Sequence, residues 1–255
     1  MGIGDIRWAS MVEKRMTFLE HLEELRTRIL ISALAILVVT AAGFFFSDPI
    51  LKLLLLPSGG LQLRAFGLLD GFMIKWRIAL YTGVVISFPV WAYELYSFIS
   101  PGLMPNERKI LFPLLGGSLV LFLLGAAFGF YLLLGMIRVL IALYPKEVQF
   151  LPSADDYISF VTFFLLACGL AFQLPTLIVI LVQLRILNSN LLRKQRRIAY
   201  FALFVFAEII TPVSDPIVAP LTVMIPLIIL YEASIFLAVR IERRRPVPGL
   251  ARSGS

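Results

Sequence analysis

The apolar residues of this chain fall in blocks of roughly 20, about the length a helix needs to cross a ~30 Å hydrocarbon core at 1.5 Å per residue. Six such blocks are legible. They cover about 27–46 (TRILISALAILVVTAAGFFF), 73–97, 110–135, 157–183, 198–211 and 217–237. Hydrophobic residues make up 60% of the 255 positions and charged residues 15%, against roughly 45–50% and about 25% in soluble domains. One core in water cannot absorb that much continuous apolar surface, whereas lipid can. The expectation is an all-α membrane protein with six transmembrane helices, a single polytopic domain over 1–240 and flexible termini at 1–16 and 241–255.

Prolines punctuate two spans, at Phe88-Pro89 and Leu174-Pro175. Each removes an amide donor and kinks its helix, which membrane helices tolerate. Span 5 has about 14 residues, or roughly 21 Å of helix, short of the ~30 Å core. It is joined to span 6 by only Thr211-Pro212-Val213-Ser214-Asp215-Pro216, and spans 5 and 6 are both read as short. No inverted or parallel repeat of the kind many secondary transporters show is visible.

Charge sets the expected orientation. The stretch before span 1, the 2–3 loop, the 4–5 loop and the tail together hold 17 Lys and Arg, against 6 on the other side. This bias places both termini in the cytoplasm, in agreement with an even number of spans. The net charge of +7 therefore reflects membrane orientation rather than nucleic acid. The start of the chain is polar and unlike a cleavable signal peptide. Ile6 makes Met1-Gly2 a poor myristoylation match. Cys168 is the only cysteine, so the fold does not depend on an internal disulfide, and packing is its simplest role.

Three groups of residues stand out. The first is Thr17-Phe18-Leu19-Glu20-His21-Leu22-Glu23-Glu24-Leu25-Arg26-Thr27-Arg28. Thr17 and Glu20 have capping-box spacing, and Leu22, Leu25 and Ile29 form an apolar stripe. The pattern predicts a short helix lying along the cytoplasmic surface and running into span 1. The second is Phe98-Ile99-Ser100-Pro101-Gly102-Leu103 followed by Glu107-Arg108-Lys109. Pro101-Gly102 forces a turn, and Glu107 suits the positive end of the next helix. Glu24 and Glu107 thus put two carboxylates on one membrane face. Such a pair suits a ligand bearing guanidinium groups, which grip carboxylates in bidentate fashion.

The third group is polar residues at membrane depth: Glu94, Gln173, Glu208 and Glu232. Such residues are costly in lipid and usually functional. Glu94 and Glu232 lie near span ends, where an interfacial role competes. Gln173 and Glu208 lie deeper, facing either a polar cavity or another helix. Asp155 and Asp156 suit the start of span 4. The only histidine, His21, lies outside the spans, which disfavours a His-based metal site, a catalytic triad or an intramembrane enzyme. No phosphate-binding glycine loop is present, so neither ATP hydrolysis nor any cofactor is expected. On these features alone a small-molecule secondary transporter remains the alternative.

The sequence resembles the TatC family, the largest subunit of the twin-arginine protein translocase. Phe18 to Arg28 is similar to the family's N-terminal signature. Ser97 to Leu103 with Glu107-Arg108-Lys109 resembles its first cytoplasmic loop, and Phe172-Gln173-Leu174-Pro175 its fourth-span motif. Arg193-Lys194-Gln195-Arg196-Arg197 resembles the second cytoplasmic loop, Thr211-Pro212 to Asp215-Pro216 the last outer turn, and Tyr231-Glu232 a late position in span 6. The likeness covers about 17–240. It implies a concave, glove-shaped bundle in a bacterial or archaeal cytoplasmic membrane. It also implies recognition of twin-arginine signal peptides on folded cargo, single-span TatA- and TatB-type partners, further copies of the chain itself, and transport drawing on the proton-motive force. Acidic residues matching Glu24 and Glu107 form the family's signal-peptide site, with Leu25, Arg26, Phe98 and Arg108 close by. Pro57 and Asp215 match outer-side functional positions, and Gln173 a residue facing the concave cavity. Many relatives carry Glu at that position. Gln173 can hydrogen-bond a partner but cannot titrate.

Overall fold

The computed structural model describes residues 18–102, 108–109, 111–142, 151–211 and 218–243. Ten α-helices, and no strand, lie among them: α1 Phe18–Phe45, α2 Ser47–Leu55, α3 Asp70–Ile86, α4 Phe88–Ile99, α5 Leu111–Ala142, α6 Ala154–Ala171, α7 Leu174–Gln183, α8 Ser189–Lys194, α9 Arg196–Ile210 and α10 Val218–Arg243. Four stretches are long and apolar enough to span a membrane on their own: α1, α5, α6–α7 and α10. The α3–α4 pair makes a fifth, bent by 49° at Ser87. The 15-residue α9 is the sixth, short span. Together they give the six spans expected of a concave bundle.

Both proline expectations correspond to real breaks. At the α3–α4 break, Trp91 donates its indole N–H to the Val84 carbonyl at 3.1 Å. That bond satisfies an acceptor the interrupted ladder leaves open. Phe88 stacks on Phe122 of α5 with centroids 4.2 Å apart, fixing the bend. At the α6–α7 break, Gln173 caps α7 and Pro175 sits in its first turn, where a missing amide costs little.

With lipid around the bundle, helix contact depends on close backbone approach rather than on an apolar stripe. A side chain on Gly83 of α3 would place its Cβ 2.1 Å from Thr40 Oγ1 and 3.0 Å from the Ile36 carbonyl of α1. On α5, a Cβ at Gly125 would fall 2.6 Å from the Cys168 carbonyl of α6. Cys168 is buried in that crossing, the packing role expected of it.

Two expectations change. The segment before span 1 is no separate surface helix, because α1 runs unbroken from Phe18 to Phe45. Span 6 is not short. Its helix has 26 residues and continues to Arg243, so only span 5 falls below membrane thickness. The proposed flexible termini at 1–16, and 241–255 from position 244 onward, lie outside the described residues, as does Thr17 of the capping box.

Candidate functional site at one end of the bundle

α1 presents His21, Glu24, Leu25 and Arg28 on one face, as spacings of three, four and seven require. That face packs on α4, which supplies Trp91, Glu94, Leu95 and Phe98. Arg28 bridges the two helices. Its Nη1 donates to Glu94 Oε2 at 2.7 Å and its Nη2 to Glu24 Oε1 at 3.3 Å. Glu94 is 7% exposed. The other Glu24 oxygen, Oε2, is buried with no hydrogen-bond partner among the described residues. It faces His21 Nδ1 at 3.8 Å, too far for a hydrogen bond. The His21 ring stacks on Phe98 at 4.3 Å with 9° between planes. Leu25, Arg28, Ile29, Ser32, Ile36, Trp91, Glu94 and Phe98 contribute to the lining of a pocket of about 360 Å³ beside these groups.

The placement sorts the predicted site residues. Glu24, Leu25 and Phe98 come together. Arg26 does not, because it is exposed on α1 two positions from Glu24, about 200° away around the helix. Arg108 is exposed beside Lys109, while Glu107 lies outside the described residues. Sequence reasoning passed over Arg28 as a site residue and read Glu94 as interfacial, yet these two form the closest ion pair of the site. Pro101-Gly102 forms the expected turn, a single 3-10 turn over Ser100–Gly102.

Gln173 donates from Nε2 to the Ser118 carbonyl of α5 at 2.9 Å. It also lines a cavity of about 460 Å³ whose walls include Trp91, Leu95, Leu174, Ala202, Phe206 and Leu227. Of the two roles left open for it, the interhelical hydrogen bond is the one seen, while the cavity it borders is walled almost wholly by apolar side chains rather than polar ones. Gln173→Leu is expected to lower thermal stability in detergent by about 0.5–1.5 kcal/mol, the net worth of such a bond. An unchanged unfolding midpoint would show the bond to be idle.

Glu232 pairs with Arg196 Nη2 at 2.6 Å and accepts from Tyr200 Oη at 2.6 Å, so it links α10 to the start of α9 rather than facing the cavity. Glu208 is exposed in the last turn of α9. At the opposite end of the bundle, Pro57 is fully buried in a 3-10 turn over Leu56–Ser58. Gly59 and Gly60 complete that turn at φ of 63° and 89°, a region that favours glycine. Tyr157 fastens the neighbouring chain, donating to the Leu54 carbonyl at 3.0 Å. Asp155 and Asp156 open α6 as expected, and Asp155 pairs with Arg77 Nε at 3.1 Å. Asp215 lies outside the described residues. No group of three or more metal-ligating side chains occurs among the described residues.

The family described as "Sec-independent protein translocase protein (TatC)" matches residues 20–226. The TatC protein of Carboxydothermus hydrogenoformans is 33% identical over 231 residues, covering 89% of this chain and 95% of the relative. The TatCy protein of Bacillus subtilis is 35% identical over 238 residues, covering 92% and 93%. The fold matches a crystal structure described as the twin arginine translocase receptor TatC. The TM-score is 0.75 at 33% identity, over 88% of this chain and all of that one. A second crystal structure of that receptor, in the detergent DDM, gives a TM-score of 0.76. The chain is a multi-pass membrane protein that belongs to the TatC family of Sec-independent protein translocase proteins.

Proposed function

We propose that this chain is the translocase subunit that receives twin-arginine signal peptides, through the pocket between α1 and α4. The observation that carries the reading is the buried Glu24 oxygen that has no donor among the described residues. A buried acceptor left unpaired costs about 1–3 kcal/mol, which an incoming guanidinium repays. Phe98 and His21 offer an adjacent stacked surface suited to the flat guanidinium face. Glu107 from the first cytoplasmic loop supplies the second carboxylate. Arg108 shapes the rim, and Arg26 serves outside the pocket.

Both termini then lie in the cytoplasm. Single-span TatA- and TatB-type subunits and further copies of the chain assemble around the receptor, and the proton-motive force drives transport. Gln173 faces the concave cavity, Pro57 and Asp215 act on the outer side, and Glu232 holds the short fifth span. That span, with Glu208 near its outer end, thins the bilayer where cargo crosses.

The test is binding of a synthetic twin-arginine signal peptide to the full chain in nanodiscs. Glu24→Gln is expected to weaken it by tenfold or more, about 1.4 kcal/mol or above. A peptide with Lys-Lys in place of Arg-Arg is expected to bind worse than its parent, since lysine lacks the planar fork. Undiminished binding by Glu24→Gln would sink the assignment. Uptake of a small solute by the chain alone in liposomes would instead support a permease.

A further inference from the structure

We infer that Glu94 is a positioning residue for the peptide site, whose task is to hold Arg28 so that Glu24 stays open to a guanidinium from outside. The inference rests on Glu24 being the ligand carboxylate proposed above.

Glu24 and Arg28 stand four residues apart on one helix, with the acid first. That order favours an ion pair between them. Left to itself, Arg28 would close both arms of its fork on Glu24 and satisfy both oxygens. Glu24 would then offer nothing to an incoming arginine. The observed geometry is different. The short contact, 2.7 Å, goes across to Glu94 on α4. The contact to Glu24 is the long one, 3.3 Å, and reaches Oε1 only. Oε2 is left buried and unpartnered among the described residues.

The charges agree with this division. The two carboxylates Glu24 and Glu94 and the one guanidinium of Arg28 sum to −1, so one carboxylate is matched within the site and one is left to take a guanidinium from outside. With a neutral residue at position 94 the sum is zero, and the resident arginine has a single carboxylate to turn to. Glu94 is also more buried than Glu24, with side-chain exposures of 9% and 16%. The Arg28–Glu94 bond is therefore less screened and better able to outcompete the local pair. Glu94 need not touch the peptide, because it acts through Arg28.

The experiment measures the Kd of a fluorescent synthetic twin-arginine signal peptide for the full chain in nanodiscs. Four forms are compared: the parent, Glu94→Gln, the double variant Arg28→Gln with Glu94→Gln, and Glu24→Gln. Glu94→Gln is expected to weaken binding about tenfold, as Arg28 turns onto Glu24. The double variant restores the charge of −1 and removes the competitor, so its Kd is expected within about threefold of the parent. A merely structural role would also be relieved by removing both partners of the pair, because a lone buried charge costs more than none. The unfolding midpoint is therefore read beside Kd. The positioning role leaves Glu94→Gln melting like the parent while its binding falls. A midpoint that falls with Glu94→Gln and recovers in step with binding in the double variant overturns the inference.

Parent-like binding by Glu94→Gln overturns the inference, and so does a double variant as weak as the single. If Glu94→Gln cannot be purified folded, Glu94→Asp takes its place. Aspartate keeps the charge but falls one methylene short of Arg28. A partial loss, relieved by Arg28→Gln, upholds the proposal, and no loss or no relief overturns it. Glu24→Gln separates the two levels of reading. If it binds as the parent does, the site itself is misassigned. If it fails while Glu94→Gln binds normally, the site stands and the role of Glu94 falls.

Discussion

Gly83→Leu is expected to abolish peptide binding even though residue 83 is not itself among the residues lining the pocket. The Cβ of any side chain there would approach the Ile36 carbonyl and the Thr40 amide of α1 to 3.0 Å each. Those are backbone atoms, so no side-chain rotation relieves the clash and the helices must separate. Overpacking of this kind costs typically 1–3 kcal/mol, and more where the backbone must move. Glu24 sits 12 residues from Ile36, a lever of about 18 Å. A 10° tilt of α1 about the crossing would carry Glu24 roughly 3 Å and Arg28, about 12 Å from Ile36, roughly 2 Å, enough to break the 2.7 Å contact between Arg28 and Glu94. The measurement is peptide Kd together with the unfolding midpoint of the purified chain. Gly135→Leu is the matched control, since nothing lies within 4 Å of a Cβ at that position. It is expected to bind and melt like the parent. Parent-like binding by Gly83→Leu would show that α1 and α3 have slack the structure does not display.

The same crossing explains what the sequence did and did not disclose. The spans were readable because lipid demands about 20 apolar residues whatever their neighbours, and the breaks because proline acts locally. Rotational facing was not readable. In water an apolar stripe marks the buried side of a helix, but in lipid apolar residues suit both sides. Leu22 and Ile29 accordingly face outward, while Thr40 and Gly43 are buried. The Arg28–Glu94 pair joins residues 66 apart in sequence, and no periodicity links them. Glu94 looked interfacial because it lies near a span end, and only the seating of α4 on α1 shows it to be enclosed. Arg28 rather than Arg26 enters the pocket because four residues bring a side chain back beneath Glu24 and two do not. The length of α10 was missed because its basic end reads as tail, although Glu242 is helical and accepts from the Ser189 amide at 2.8 Å.

Lengthening α9 by one turn is expected to block transport while leaving peptide binding intact. Its 15 residues make about 22 Å of helix, some 8 Å less than the ~30 Å core. The position of Glu208 adds a second constraint. It lies 12 residues beyond Arg196, roughly 18 Å along the axis, and its side chain is exposed. Arg196 is tied to Glu232 and Tyr200 at the start of α9. With that end at the inner surface, a bilayer of full thickness would bury the Glu208 carboxylate on the order of 10 Å below the outer one, at a cost approaching 2.5–3.5 kcal/mol. A bilayer thinned to about 20 Å brings it into the headgroups and removes that cost. Four apolar residues inserted after Phe204 would add about 5–6 Å and let the membrane recover most of its thickness. Transport of a folded twin-arginine precursor into inverted vesicles is then expected to fall below about a tenth of the parent level, the effect of a barrier raised by about 1.4 kcal/mol or more. Peptide Kd should not move, because α1 and α4 are untouched. Full transport by the lengthened chain would mean that the short fifth span is a packing solution and that cargo crosses elsewhere.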